Sequence, residues 1–355
     1  MKITRIATAI TTLGLVAAMM AGCASASAQP QGTDQATELR LGYFANVTHA
    51  PALVGVDQGL IQNALGDVKL STQVFNAGPA EIEALTAGAI DAAYIGPSPA
   101  INSFIQSGGQ SAVIVAGAAV GGAALVVRDG INSPADLKGK TLATPQLGNT
   151  QDVALRAWLS EQGFKTDPSG GGDVNITPTD NAQTLTLFQQ GKLDGAWLPE
   201  PWVSRLVLDA GAHVLVNEAS LWPNGAFPTT VLLVNADYLK ANPGIVANLV
   251  KGNAAAVQWL TDNPTQAPAA VNASLAALTG KPLSDAVIQR SLQNVSFSID
   301  PHAEAFKTLV SNGVTAGTQR DGSIDGLFDL RILNGLLKAS GAATVSADGL
   351  GQDAP

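Results

Sequence analysis

With 355 residues, 46% hydrophobic and only 13% charged, the chain can bury one large core or two of ordinary domain size, which excludes a disordered or low-complexity protein. A formal net charge of −9 without a polybasic stripe excludes nucleic acid and electrostatic membrane binding as partners. A single cysteine excludes an internal disulfide framework, a CxxC redox pair and a cysteine-rich zinc site.

Lys2 and Arg5 precede an apolar run from Ile6 to Met20 that is too short to span a bilayer and is followed by small residues, so residues 1–22 read as an export signal. Met20-Ala21-Gly22-Cys23 resembles the lipobox of bacterial lipoproteins, which implies that Cys23 is acylated and becomes the first residue of the mature chain. Two acyl chains suffice for stable anchoring, so the expected location is the extracytoplasmic face of the cell membrane, held by lipid alone. The alternative is an ordinary secretory signal with an incidental cysteine. Residues 23–37 have no periodicity and read as a flexible tether.

From Glu38 onward, strand-like and helix-like segments alternate. Leu39, Leu41 and Tyr43 recur at period two, Ala50 to Gly59 reads as a helix, Lys69 to Phe75 as a strand and Ala80 to Ala87 as a helix. Such alternation implies an α/β protein with mostly parallel sheets covered by helices. A second lobe over 128–229 is expected after the apolar strand Ala123 to Val127, with a helix start at Ser133-Pro134-Ala135-Asp136. A strand at Thr141 to Thr144, a helix from Asn149 to Gln162 and a Gly-rich turn at Ser169 to Gly172 follow. Thr229 to Val234 reads as a strand returning to the first lobe, which comprises 38–127 and 230–338. The helical periods after it run over 243–260, 264–278, 283–293, 302–312 and 324–338. Residues 339–355 are expected to be a disordered tail. Two crossings between lobes imply a hinge.

One pattern occurs twice. Leu85-Thr86-Ala87-Gly88-Ala89-Ile90-Asp91-Ala92-Ala93-Tyr94-Ile95 returns as Phe188-Gln189-Gln190-Gly191-Lys192-Leu193-Asp194-Gly195-Ala196-Trp197-Leu198. Each copy reads as a helix ended by Gly, then Asp, then a short apolar strand that runs into a Pro-rich loop, Gly96-Pro97-Ser98-Pro99 or Pro199-Glu200-Pro201-Trp202. Open α/β sheets bind ligands at such strand C-termini, and two facing lobes make a clamp. Asp91 and Asp194 are expected to cap neighbouring backbone at strand starts rather than to serve as an acid–base pair.

Catalysis has little support. The only histidines are His49, His213 and His302, and there is no G-x-S-x-G elbow, P-loop, GxGxxG opening or HExxH. Three histidines without clustered acids also give poor metal spacing, so no metal and no cofactor is expected. What recurs is a helix start after a strand, at Ala77-Gly78-Pro79, at Gly96-Pro97-Ser98 and at Gln146-Leu147-Gly148-Asn149-Thr150-Gln151. Free amide donors and partial positive charge at helix N-termini hold anions without Lys or Arg.

These residues resemble the aliphatic sulfonate, taurine and nitrate branch of the substrate-binding proteins of ABC importers. The matching stretches are Gly42-Tyr43-Phe44-Ala45-Asn46-Val47-Thr48-His49-Ala50-Pro51, Ala77-Gly78-Pro79, Gly88-Ala89-Ile90-Asp91, Gly148-Asn149-Thr150-Gln151-Asp152, and Gly191 to Ala196 leading to Glu200-Pro201-Trp202. The resemblance implies a type II periplasmic-binding-protein fold. It also implies an interlobe cleft lined by Asn46, Thr48, His49, Gly78, Pro79, Gly96, Ser98, Gln146, Asn149, Thr150, Gln151, Glu200 and Trp202. The implied function is capture of a small oxyanion, an aliphatic sulfonate or taurine, with nitrate or thiamine-pyrimidine-precursor binding, or an enzyme on the same scaffold, as the alternatives; the implied partners are that small anionic ligand and a permease with its ATPase, and the expected chain is a monomer. His49 reads equally as an anion donor, a metal ligand or a packed loop residue. Trp202 reads either as the cover of a ligand tail or as a core residue. Arg156 reads as the i,i+4 partner of Asp152, and Arg128 as solvated. If Glu200 points into the cleft, the guest must carry a donor, as taurine does; if it points outward, a plain alkanesulfonate fits better.

Overall fold

A computed structural model describes residues 36–354. The export signal, Cys23 and the tether up to residue 35 lie outside the described residues. The chain begins with β1 (Glu38–Phe44), α1 (Ala50–Asp57), α2 (Leu60–Leu65), β2 (Lys69–Phe75), α3 (Gly78–Thr86), β3 (Ala92–Ile95), α4 (Pro97–Gln106) and β4 (Ala112–Gly121). It continues with β5 (Ala123–Val127), β6 (Thr141–Thr144), α5 (Thr150–Glu161), β7 (Asn175–Pro178), α6 (Asn181–Gln189), β8 (Gly195–Pro199), α7 (Trp202–Ala210) and β9 (His213–Asn217). It returns through β10 (Pro228–Asn235) to α8 (Ala236–Ala241), α9 (Pro243–Asp262), α10 (Ala267–Thr279), α11 (Asp285–Gln293), β11 (Val295–Phe297), α12 (Phe306–Thr315), β12 (Phe328–Asp329), α13 (Arg331–Ala339) and β13 (Gly351–Gln352).

Two sheets result. The first has the order β13-β12-β4-β10-β3-β1-β2 with β11 added beside β4, and the second has the order β7-β6-β8-β5-β9. β1 runs parallel to both β2 and β3, and β6 runs parallel to both β7 and β8. The strands that carry the chain between lobes run the other way: β10 is antiparallel to β3 and β4, and β5 is antiparallel to β8 and β9. The outward crossing lies at Gly121 and Gly122, both at positive φ (73° and 75°), a turn that glycine makes without a Cβ penalty. β5 therefore belongs to the second sheet, with Leu125 opposite Trp197, and not to the first lobe as its sequence position suggested.

The repeated pattern forms the same device in both lobes. The Asp91 amide donates to the Arg40 carbonyl at 2.8 Å while its carboxylate accepts the Arg40 amide at 2.8 Å. The Asp194 amide donates to the Thr141 carbonyl at 2.8 Å and its carboxylate accepts the Thr141 amide at 2.8 Å. Each aspartate thus locks the start of its strand to the neighbouring parallel strand, which sets the register that delivers the strand C-termini to one edge. Arg40 pairs with Asp91, and Arg128 lies 3.6 Å from Asp194. Arg128 also donates to the Leu193 carbonyl at 3.0 Å and stacks on Phe188, so it is a structural residue and not a solvated one.

Behind the strands, one continuous core fills the first lobe, and the second lobe packs an apolar layer on each face of its sheet, one around Phe188 and Leu198, the other around Trp158 and Trp197. The C-terminal residues are not a disordered tail. Val345 and Asp353 both bond to the buried Asn334, Ala347 and Leu350 are buried, and β13 pairs with β12. Aperiodic sequence hid this because Asn334, not a hydrophobic stripe, organises the segment. For the same reason the expected helix over 324–338 is shorter: Phe328 and Asp329 extend the sheet before α13 begins.

Glu81, on α3, is completely buried and neither carboxylate oxygen has a hydrogen-bond partner. Gly42 makes room for it, since a Cβ there would lie 2.5 Å from Glu81 Oε1. Burial holds its pKa well above the carboxylate range. When pH rises through the ordinary carboxyl value, the unfolded chain releases this proton and the folded chain keeps it, so stability falls with pH. Glu81→Gln is therefore expected to raise the melting temperature by a few degrees at about pH 7.5 and to make no difference below about pH 4, where both states are protonated. Thermal unfolding of both proteins across that range checks this.

Candidate functional site

The C-terminal ends of β1, β2, β3, β6 and β8 meet between the two sheets, and a small inner cavity of about 20 Å³ lies among them. The loop after β1 contributes Asn46, Thr48 and His49, Asn76 follows the end of β2, and the turn after β3 gives Gly96. From the second lobe come Asn149, Thr150 and Gln151 at the start of α5, Pro199 at the end of β8, and Asn181 as the first residue of α6. Asn149 caps α5, its Oδ1 accepting the Gln151 amide at 3.1 Å. Among the described residues no Lys, Arg, Asp or Glu lines this cavity.

His49 is buried, and both ring nitrogens are occupied. Nε2 lies 3.1 Å from the Tyr94 carbonyl and Nδ1 lies 3.2 Å from Thr48 Oγ1. A carbonyl only accepts, so the proton sits on Nε2 and Nδ1 accepts from the Thr48 hydroxyl. Burial pushes the His49 pKa down to about 3 against a smaller upward pull from the Tyr94 carbonyl, so the ring is neutral at physiological pH. It stacks on Phe44 at 4.4 Å. With neither nitrogen free, His49 is a packed scaffold residue of the loop and not a metal ligand.

Several expected residues lie elsewhere. Glu200 faces away from the inner cavity and is buried against α11: its carboxylate accepts the Ser204 amide at 2.9 Å, Arg290 Nη1 at 3.2 Å and Asn294 Nδ2 at 2.8 Å. A buried carboxylate requires donors and a countercharge, and α11 supplies both. Gly78 is pressed against the Pro99 ring, and neither it nor the half-buried Pro79 beside it lines the cavity. Gln146 contributes its carbonyl to the Asn149 amide at 3.0 Å. Trp202 lies at the mouth, where its indole N–H donates to Asn46 Oδ1 at 2.9 Å and Arg205 stacks on its ring at 4.7 Å.

The lobes touch across the cleft. The Val47 amide donates to the Glu200 carbonyl at 3.1 Å, and the Ser98 amide donates to Thr150 Oγ1 at 3.4 Å. Gly96 allows this approach, because a Cβ there would overlap the Thr150 hydroxyl. Asn76 and Asn181 line the cavity without having been expected from the sequence; the signal that marks them is position, each following a strand end closely, Asn76 directly before the Ala77-Gly78-Pro79 helix start.

Comparison with known proteins places the chain. The pattern defining the NMT1-like family matches residues 32–276. The chain belongs to the NMT1-like family. A Brucella abortus relative named only as a binding protein is 25% identical over 308 residues, covering 85% of this chain and 87% of that one. The taurine-binding periplasmic protein of Escherichia coli is 28% identical over 214 residues, 59% of this chain and 64% of that protein. Among solved structures, the alkanesulfonate-binding protein SsuA of Xanthomonas axonopodis pv. citri, bound to MOPS, superposes with a TM-score of 0.67 at 22% identity, covering 81% of this chain and 96% of that one. Likeness at this level establishes the fold: this NMT1-like chain has the two-lobed architecture of periplasmic binding proteins.

The loop that supplies Gly148 to Gln151 in the NMT1-like chain depends on a buried ion pair. Asp152 and Arg156 are both fully buried and 3.0 Å apart, and Asp152 also accepts Thr144 Oγ1 at 2.8 Å and the Gly148 amide at 3.0 Å. This is more than the surface i,i+4 pair that the spacing alone suggests. Asp152→Ala, which strands the guanidinium, is expected to cost about 3–5 kcal/mol, and a paired Asp152→Leu/Arg156→Met substitution to cost much less. Denaturant unfolding of the single and double variants checks this.

Proposed function

We propose that the chain is the extracytoplasmic solute-binding component of an ABC importer and that its inner cavity holds the head of a small oxyanion, an aliphatic sulfonate or taurine. The observation that carries this reading is the convergence of the starts of α4, α5 and α6 and five amide side chains on a hollow without ionised groups. A carboxylate lining would repel an anion, and a buried Lys or Arg would have to be desolvated; amide donors and helix ends do neither. Hydrogen bonds to a charged group contribute about 1.5–3 kcal/mol each, so four, less ordering costs, reach the roughly 8 kcal/mol of a micromolar complex. Because Glu200 is turned away, the inner cavity offers no carboxylate to an ammonium, and its guest is the oxyanion head alone. Relatives and neighbours named for taurine, alkanesulfonate and nitrate support this ligand class. Partnership with a permease and its ATPase, monomeric behaviour and attachment through Cys23 belong to the same proposal.

Native mass spectrometry of protein purified without refolding is expected to show a retained small anion. In thermal-shift assays, ethanesulfonate, taurine or nitrate at 100 times its dissociation constant should add about 2.7 kcal/mol of stability, whereas a pyrimidine or zinc should add none. A shift with zinc or a pyrimidine and none with any oxyanion would overturn the reading. Gly96→Ala, whose methyl meets Thr150, is expected to weaken oxyanion binding at least tenfold, which is about 1.4 kcal/mol, while leaving the unliganded melting temperature nearly unchanged. Calorimetric titration of the variant checks this.

A further inference from the structure

The chain crosses between the lobes at Gly121–Gly122 and again just before β10, and the two crossings lie side by side: the Gly121 amide donates to the Phe227 carbonyl at 2.8 Å, and the Thr229 hydroxyl donates to the Gly121 carbonyl. Crossings bonded to each other act as one pivot. Hinge closure absorbs its rotation in a few residues, and a single pivot leaves the lobes free to twist as well as to open. A site whose two halves must meet in register at every closure needs a further attachment away from that pivot.

Helix α11 supplies one. It follows α10 in the first lobe, and Ile288 is buried in that lobe's core. The same helix grips the second lobe. Glu200 Oε1 accepts Arg290 Nη1 at 3.2 Å and Asn294 Nδ2 at 2.8 Å, Glu200 Oε2 accepts the Ser291 hydroxyl at 3.1 Å, and Arg290 Nη1 also donates to Ser204 Oγ on α7 at 2.8 Å. Among the described residues, Arg290–Glu200 is the only ion pair that joins the lobes. The other side-chain bonds across the cleft are neutral: the Trp202 indole to Asn46 at 2.9 Å and, where α4 and α12 meet α5, the long 3.4 Å bond from the Ser98 amide to Thr150. Parting Glu200 from α11 would strip a buried carboxylate of its cation and two of its donors, which costs far more than losing a long neutral bond.

We infer that Glu200, Arg290, Ser291 and Asn294 form a clasp that stays shut when the cleft opens. It makes α11 a third, non-covalent connection between the lobes and confines their motion to one rotation about the line from Gly122 to α11. Glu200 and Arg290 are then positioning residues: neither lines the inner cavity, yet together they decide whether its two halves return to register. The inference holds whatever the cavity takes up.

Pulsed dipolar spectroscopy between spin labels at Lys192→Cys in the second lobe and Lys251→Cys in the first, both exposed positions, tests it in the full chain with its single cysteine replaced by Cys23→Ser. Glu200→Gln/Arg290→Met strands no charge, so it is expected to fold and to broaden the interlobe distance distribution about twofold. Arg290→Lys, whose ammonium can reach the same two oxygens, is expected to keep the parent width. Asn294→Ala, which removes one donor alone, is expected to broaden the distribution less than the paired variant, and it carries the test if that variant does not fold. A parent width in the paired variant, or in Asn294→Ala where that stands in for it, would overturn the clasp. Arg290→Lys as broad as the paired variant would overturn the assignment of the constraint to the ion pair.

Discussion

The constraint on which the site depends is the cost of leaving a charge unpaired in a small buried space. Every ionisable group near the inner cavity has been neutralised or turned outward. His49 is held neutral by burial, which outweighs the opposing pull of the Tyr94 carbonyl, and both its ring nitrogens are occupied. Glu200 points away into donors on α11, and Asp152 is paired with Arg156 behind the loop it supports. What remains lining the cavity is a set of dipoles: side-chain amides, threonine hydroxyls and helix ends. Such a lining is electrically neutral and still polar, which suits a guest that brings its own single charge.

That arrangement is held in place by backbone register, and the register is set by the two aspartates of the internal repeat. In each lobe an aspartate exchanges a pair of hydrogen bonds with a residue of the adjacent parallel strand, Arg40 in β1 or Thr141 in β6, so that β1 and β3, or β6 and β8, end side by side. The same solution in both lobes brings two matching edges into opposition. Asp152 adds a second layer by fixing the Gly148 amide, and Glu200 adds a third by fastening the end of β8 to α11 beside the crossing at Gly122, whose carbonyl accepts the Glu200 amide at 2.8 Å. Positioning and neutralisation are therefore done by the same carboxylates.

Much of this was legible in the sequence because it is local. The helix–Gly–Asp–strand pattern, the polar residues just after strand ends and the role of Asp91 and Asp194 as backbone caps all follow from neighbours in the chain. Asn46, Thr48, His49, Gly96, Asn149, Thr150 and Gln151 are found together at the inner cavity for that reason. What was not legible depends on residues far apart. Nothing around Glu200 announces that Arg290 and Asn294 wait for it, so its direction could not be read. The order of residues 340–354 depends on Asn334, and the assignment of β5 to the second sheet depends on partners in β8 and β9. Asn76 and Asn181 belong to the local class: Asn76 directly precedes the Ala77-Gly78-Pro79 helix start, and Asn181 opens α6 three residues after β7 ends, without a Gly-Pro pair to mark it.

The inner cavity, at about 20 Å³, has room for little more than one water, so the head of the proposed oxyanion can enter only when the lobes part. The contacts across the cleft differ in what parting them costs. The Val47–Glu200 backbone bond lies beside the crossing and can survive a rotation about it, whereas the Ser98 amide reaches Thr150 Oγ1 at a long 3.4 Å and is weakly held. Exchanging that neutral acceptor for an ionised oxygen replaces a weak bond by one of roughly twice the ordinary strength, and it does so at the N-terminus of α4, where the helix dipole adds to the attraction. A ligand then favours approach of the lobes by the difference between those two bonds. The long Ser98–Thr150 contact marks the place where the protein gives up least of its own bonding to admit a guest.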